Sequence, residues 1–383
     1  MKYTALLLSL TTMITGCTLS DTPPDQPLLN KAELGQQLYF DTNLSANRSE
    51  SCASCHAPEA GFVDPRGNAA QGAVSLGDDG HSLGDRNAPT AAYAMFSPDF
   101  QRSDKGVYKG GQFHDGRAKD LQEQAGGPPT NPIEMGMPSA AALVARLQEN
   151  PLYRKNFTVL YGKDIFNQPD NAYSAMTDSI AAFERTELFA PFDSKYDRFL
   201  RGEYQLSQQE ELGRTLFFSQ QFTNCNQCHQ LKTSQRAEGE TFSNYEYHNI
   251  GVPINHAARA VNGIASDHID RGLLENPAVS DPAQAGKFKV PTLRNVAVTG
   301  PYMHNGVFKD LRTVVLFYNK YNSRSRARQI NPETGQAWQA PEVSQNLSLK
   351  ELESGPALTD QRIDALVAFM KTLTDKRYEA LLN

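Results

Sequence analysis

Two short segments of this chain have the make-up of a covalent cofactor anchor: Cys52-Ala53-Ser54-Cys55-His56 and Cys225-Asn226-Gln227-Cys228-His229. Both read C-x-x-C-H, the haem c attachment signature. Two thiols at this spacing form thioethers to the two vinyl groups of one porphyrin, and the adjacent imidazole then points at the iron. A single copy would also suit a zinc site or a thioredoxin-like redox pair. Two copies downstream of an export signal favour one haem c on each. The fifth and last cysteine is Cys17, so none remains for a disulfide.

The elements that must position these anchors repeat as well. Glu33-Leu34-Gly35 followed by Leu38-Tyr39-Phe40 recurs as Glu211-Leu212-Gly213 followed by Leu216-Phe217-Phe218, each at helical spacing and each leading into a cysteine pair. Ser207-Gln208-Gln209-Glu210 has the form of a capping box ahead of the second copy. Helices are also predicted over residues 140–148, stopped before Pro151, and over residues 172–189. Near the C-terminus Ile363, Leu366, Val367, Met370 and Leu373 form an apolar stripe behind a Thr359 cap. Strand-like alternation is scarce, and the Gly- and Pro-rich stretches 61–84 and 126–138 predict long irregular loops lining a cofactor. The expected fold is mainly α, with two cytochrome c-like haem domains related by internal repeat over residues 31–200 and 201–383.

Composition narrows the partners. The 383 residues carry a net charge of −6 with Lys and Arg dispersed, which argues against nucleic acid. Beyond the first sixteen residues no apolar stretch is long enough to span a bilayer. Residues 1–16 read as a secretory signal, with Lys2 ahead of an apolar run through Leu6, Leu7, Leu8 and Leu10. Ile14-Thr15-Gly16-Cys17 matches the bacterial lipobox, so Cys17 is the expected lipidation site and residues 17–30 a flexible tether. An ordinary signal peptide with a chance cysteine is the alternative. The expected location is the periplasm of a Gram-negative bacterium, with the membrane touched only through the lipid anchor.

Further motifs follow in order: Arg86-Asn87-Ala88-Pro89-Thr90, Phe113-His114-Asp115-Gly116-Arg117-Ala118, Glu123-Gln124-Ala125, Asn131-Pro132-Ile133-Glu134-Met135, Pro291-Thr292-Leu293-Arg294-Asn295-Val296 and Pro301-Tyr302-Met303-His304-Asn305-Gly306. Together they resemble the bacterial di-haem cytochrome c peroxidase and MauG family over nearly all of the chain after the signal. That resemblance implies a peroxide-using oxidoreductase. It makes the haem on His56 the peroxide site, with Gln124 and Glu134 on its distal side. Glu134 would carry a proton from the iron-bound oxygen of hydrogen peroxide to the leaving oxygen, and Gln124 would orient the peroxide. Taken without the family, Glu134 is a loop acid beside Pro132.

The resemblance also makes the haem on His229 the electron-transfer haem. Conventional peroxidases place Met as its sixth ligand and MauG-like members place Tyr; the matching position is Tyr318 in Leu316-Phe317-Tyr318-Asn319. By helical pattern alone Tyr318 would join Leu311 and Val315 in a core-facing stripe, and Met303 and Met370 are the other ligand candidates. A thioether favours ferrous iron, whereas a phenolate favours higher oxidation states. Tyr318 therefore points to MauG-like oxidation of a partner protein. The alternatives are a cytochrome c peroxidase fed by a small cytochrome or cupredoxin, and an electron-transfer cytochrome without catalysis.

One departure stands out. The family's aromatic relay between the haems is a Trp, and this chain has His114 there, its only Trp being the distant Trp338. Imidazole is harder to oxidise than indole, which weakens the expectation of charge sharing through that position. A calcium ion is implied on Asn87, Thr299 and Pro301, where oxygen-only ligation suits a hard cation. His304 is expected to hydrogen-bond near a haem edge. His81 lies two residues out of register with a removable distal ligand of some members and reads as a loop residue; His248, His256 and His268 read as surface or loop residues.

Overall fold

A computed structural model describes residues 27–382; the signal segment 1–16, Cys17 and most of the expected tether lie outside the described residues. The last part of that tether is held in place, because the Asn156 side chain accepts from Leu29 N at 2.7 Å and donates to Pro27 O at 2.9 Å. Twelve α-helices follow among the described residues: α1 Lys31–Phe40, α2 Cys52–Cys55, α3 Leu121–Ala125, α4 Ala140–Glu149, α5 Pro151–Tyr161, α6 Pro169–Glu184, α7 Lys195–Leu200, α8 Gln208–Phe218, α9 His256–Arg259, α10 Leu311–Asn319, α11 Leu349–Leu352 and α12 Asp360–Lys371. The strands are three antiparallel two-residue pairs: β1 Gln101–Arg102 with β2 Tyr108–Lys109, β3 Tyr247–His248 with β4 Phe288–Lys289, and β5 Ile330–Asn331 with β6 Gln336–Ala337. The fold is thus mainly α, as the scarcity of alternation implied. No described helix is long and apolar enough to cross a membrane.

Helix boundaries follow local chemistry. The capping box at Ser207 and Glu210 forms, and Asn30 with Glu33 makes a second one on α1. Helix α4 stops at Glu149, before Pro151 as expected, with Asn150 extended; Asn150 also caps a new helix in which Pro151 takes the first position, where a missing N–H costs no bond. The helix expected over 172–189 starts earlier, at Pro169, and stops at Glu184, leaving Glu187–Phe189 as a 3₁₀ turn.

Two helix pairs are built alike. Helix α1 crosses α6 so closely that a Cβ on Gly35 would fall 1.9 Å from the Ser179 carbonyl oxygen. Helix α8 crosses α12 with Gly213 at the same 1.9 Å from the Ala365 carbonyl oxygen. Around the first pair a core forms from Leu34, Leu38, Tyr39, Leu147, Ile180 and Phe189; around the second, from Leu216, Phe217, Leu316, Ile363, Leu366 and Phe369. Tyr196 and Phe199 of α7 pack with the second core, so packing changes hands just before residue 200.

Between the cores sits Arg294, only 1% exposed. Its guanidinium forms a two-pronged pair with Asp197 at 2.5 and 2.9 Å and lies over the rings of Tyr93, Phe192 and Phe242. Asp375 accepts from Tyr93 Oη of the first core at 2.5 Å and from Asn295 Nδ2 at 2.8 Å. Buried charges survive here because each is bonded, and the pairing ties the C-terminal segment across both halves.

Because the crossings are backbone against backbone, Gly35→Ala and Gly213→Ala should each destabilise the haem-loaded protein by about 2 kcal/mol or more in chemical denaturation. Helix propensity alone would give a gain of about 1 kcal/mol, so a stabilised variant would contradict the close crossing.

Candidate haem-binding sites

Each C-x-x-C-H segment ends in an imidazole held the same way. His56 Nδ1 lies 3.2 Å from the Phe62 carbonyl oxygen, and His229 Nδ1 lies 3.0 Å from that of Phe242. Bonding at Nδ1 places the proton there and leaves Nε2 free to take a metal. Phe62 and Phe242 are fully buried, and both adopt the left-handed backbone at φ of 59° and 57°, a conformation a bulky residue rarely takes. A threonine locks each turn: Thr90 Oγ1 donates to Gly61 O at 2.6 Å, and Thr292 Oγ1 donates to Thr241 O at 2.7 Å. Burial pushes both imidazoles down, His229 to about 4, so they stay neutral and available to a metal.

The loops carrying His114 and His304 are also alike. Gln112 N bonds Ala118 O at 2.7 Å, and Tyr302 N bonds Phe308 O at 2.6 Å, with Phe113 and Met303 at positive φ and Gly116 and Gly306 closing each loop. The halves then exchange contacts. His114 O accepts from Lys289 N at 2.9 Å, two residues before Pro291, while His304 O accepts from Asn87 N at 2.7 Å, two residues before Pro89. Each loop therefore braces the other half's Pro-Thr segment.

A cavity of about 340 Å³ holds the second anchor, lined by Cys225, Cys228, His229 and Tyr318 and reaching first-half residues such as Asn87 and His114. Its walls are largely apolar, as a porphyrin face requires. Tyr318 sits near the end of α10, and burial together with the Cys228 and Cys225 sulfurs pushes its phenol well above its ordinary range. Met303 and Met370 share the same cavity wall, and Met370 is also part of the second core. The donor set of two thiols, a fixed imidazole and a phenol in one largely apolar cavity fits a covalently held haem.

At the first anchor, burial pushes the Cys55 thiol up to about 12, and Arg66 Nη2 lies 3.2 Å from its sulfur. Arg66 also pairs with Glu50 and with Asp64. Glu134 is half-buried and accepts from Asn131 Nδ2 at 2.9 Å. Desolvation raises its carboxyl above the ordinary 4.5, Glu50 pushes the same way, and Arg117 and Asn131 oppose. Gln124 is half-buried on α3, and its side chain makes no hydrogen bond among the described residues. Glu184, beside Cys52, is buried with Oε2 unpartnered, and desolvation lifts it to about 8.

The remaining expected residues fall as follows. Asn87, Thr299 and Pro301 line the same cavity, and the Asn87 amide donates to Ala73 O at 3.0 Å, leaving its oxygen without a donor among the described residues. His114 lines that cavity with Nε2 on Asn87 O at 2.9 Å, held neutral at about 4 by burial. His304 stacks on Phe288 at 3.6 Å with Nε2 unpartnered. His81 is 79% exposed and bonded to Asp79, while His256 and His268 are exposed. His248 is not a surface residue: it is half-buried in β3, lines the cavity and has no partner for Nε2.

The Phe62 and Phe242 carbonyls and the Thr90 and Thr292 hydroxyls belong to no attachment motif and were not among the expected site residues. The recurrence of Pro-Thr in Pro89-Thr90 and Pro291-Thr292 was the available signal.

Comparison with known proteins agrees with this geometry. The family model described as di-haem cytochrome c peroxidase matches residues 29–205. The methylamine utilization protein MauG of Paracoccus denitrificans is 56% identical over 361 residues, covering 94% of this chain and 92% of that protein. The cytochrome c peroxidase Ccp of Escherichia coli is 34% identical over 76% of this chain and 53% of that protein. The crystal structure of the diheme peroxidase BthA from Burkholderia thailandensis matches with a TM-score of 0.81 at 33% identity, covering 94% of this chain and 89% of that one. With two matched thiol–imidazole anchors in a fold shared along nearly its whole length, the chain belongs to the di-haem cytochrome c peroxidase and MauG family of oxidoreductases.

Proposed function

We propose that this oxidoreductase cleaves hydrogen peroxide at the site of His56 and draws the electrons through the site of His229 from a partner protein, in the MauG manner. Haem, held by Cys52, Cys55 and His56 and by Cys225, Cys228 and His229, supplies the iron that receives peroxide and the capacity to hold oxidising equivalents. The observation that carries the MauG-like reading is Tyr318, which shares the cavity wall with the second anchor and lies close enough for its sulfurs to perturb the phenol. As a phenolate ligand it would disfavour the ferrous state. The 56% identity to the Paracoccus protein supports the same subgroup.

At the first site Glu134 takes a proton from peroxide and returns it to the departing oxygen, with Asn131 holding its carboxylate in place. Gln124, with a side chain free of internal bonds, orients the peroxide. Between the sites, neutral His114 bridges through Asn87 by packing and hydrogen bonding and not as an oxidisable relay.

Calcium binds at Asn87, Thr299 and Pro301 in this reading, supported by their common cavity wall and the free Asn87 amide oxygen. The protein is periplasmic and lipid-anchored through Cys17, on the strength of the lipobox. Native mass spectrometry of detergent-extracted protein should resolve two haems, one calcium and an acyl mass on Cys17. Any of these found missing removes that part of the proposal.

Glu134→Gln should slow peroxide cleavage by about a hundredfold or more. Because the carboxylate is the form that accepts the first proton, the wild-type rate should climb with pH through an inflection above the ordinary 4.5, and the variant should lose it. An unchanged rate or an unchanged inflection would refute the role. Tyr318→Met should raise the potential of the second haem and give rapid turnover with reduced cytochrome c, which the parent protein should lack. Equal turnover in both would favour the conventional cytochrome c peroxidase.

A further inference from the structure

We propose that Trp338 is the port through which electrons enter the second haem site from outside, a claim that rests on the reading of Tyr318 given above. Trp338 is the single tryptophan of the chain. It directly follows β6 and is half-buried, so part of the indole meets solvent while the rest packs against the second core. Its ring lies 5.5 Å from that of Phe317 and 5.6 Å from that of Phe308, edge-on to both. Phe317, fully buried, lies 6.2 Å from Tyr318 on the cavity wall. Two ring-to-ring steps therefore join the surface to the cavity.

The chemistry of the rings assigns their parts. Benzene rings are too hard to oxidise to hold charge, so Phe317 is a bridge; indole gives up an electron far more readily, so Trp338 is a station. The Trp338 Nε1–H donates to Arg328 O at 2.9 Å, and that carbonyl dipole favours positive charge on the indole. Lys320 opposes it, with Nζ 3.9 Å from the Phe317 centroid and 5.8 Å from that of Trp338. Lys320 thus sets the threshold for oxidation of the port.

Each turnover balances as follows. One electron leaves the indole towards the second site, giving the indole radical cation, and a one-electron reductant on the partner protein restores it. Two such transfers with two protons reduce one hydrogen peroxide to two waters. His114 cannot serve, because it is enclosed between the halves and its imidazole is the harder ring to oxidise.

The test uses the haem-loaded full chain with hydrogen peroxide and no donor, sampled by rapid-freeze electron paramagnetic resonance and by peptide mass spectrometry. With one tryptophan in the chain, any indole radical belongs to Trp338. Expected are a radical whose hyperfine pattern changes with indole-deuterated tryptophan and oxygen addition at Trp338, both suppressed when cyanide blocks the irons. Lys320→Met should raise the radical yield several-fold, and Trp338→Phe should abolish the signal. Peroxide consumption without an indole radical or Trp338 modification overturns the port and leaves the peroxidase reading standing. Oxidation of Trp338 that persists under cyanide also overturns it. If peroxide is not consumed, the peroxidase reading fails and the port with it.

Discussion

The bond from each C-x-x-C-H imidazole to a main-chain carbonyl is the constraint on which the rest of this structure depends. A C-x-x-C-H segment supplies thiols and a histidine but does not fix which nitrogen faces the cofactor. The carbonyls of Phe62 and Phe242 settle that, and they are aimed only because both residues hold a left-handed backbone. A buried Phe in that conformation is costly, so its surroundings must over-determine it. Thr90 and Thr292 do so from one side, and aromatic packing around Phe189 and Phe369 does so from the other.

The same economy of parts explains how two similar halves acquire different chemistry. The His114 and His304 loops brace opposite halves with equivalent main-chain bonds, so the backbone is close to symmetric. Side chains break the symmetry. Where one half presents the neutral amide of Asn87, the other presents Lys289, a buried amine donating to Gly111 O and pushed down to about 7 by burial. Where one presents a carboxyl raised by desolvation at Glu134, the other presents the phenol of Tyr318. A peroxide-cleaving site needs a movable proton, whereas a storage site needs a ligand that tolerates oxidised iron.

Much of this was legible in the chain. Short motifs fix covalent chemistry at sequence range, so the anchors and the paired helices with Gly35 and Gly213 could be read directly. The capping box at Ser207 and the Thr359 cap likewise depend on near neighbours and formed as read. What escaped reading depends on contacts across the chain. Pro151 stops α4 as read, but it also opens α5, because Asn150 caps a second helix there. His248 carries no motif, and only the pairing of β3 with β4 brings it to the cavity. The grip of Arg294 on Asp197, nearly a hundred positions away, has no local signature at all.

The central claim is that the two haems are unequal, one cleaving peroxide beside Glu134 and the other holding oxidising power beside Tyr318. Mössbauer spectroscopy of iron-57-enriched protein after one equivalent of hydrogen peroxide tests this most directly. The account predicts a long-lived, two-electron-oxidised state in which the spectra of both irons have changed together. Two irons that stay low-spin and inert to peroxide, even after partial reduction, would contradict it.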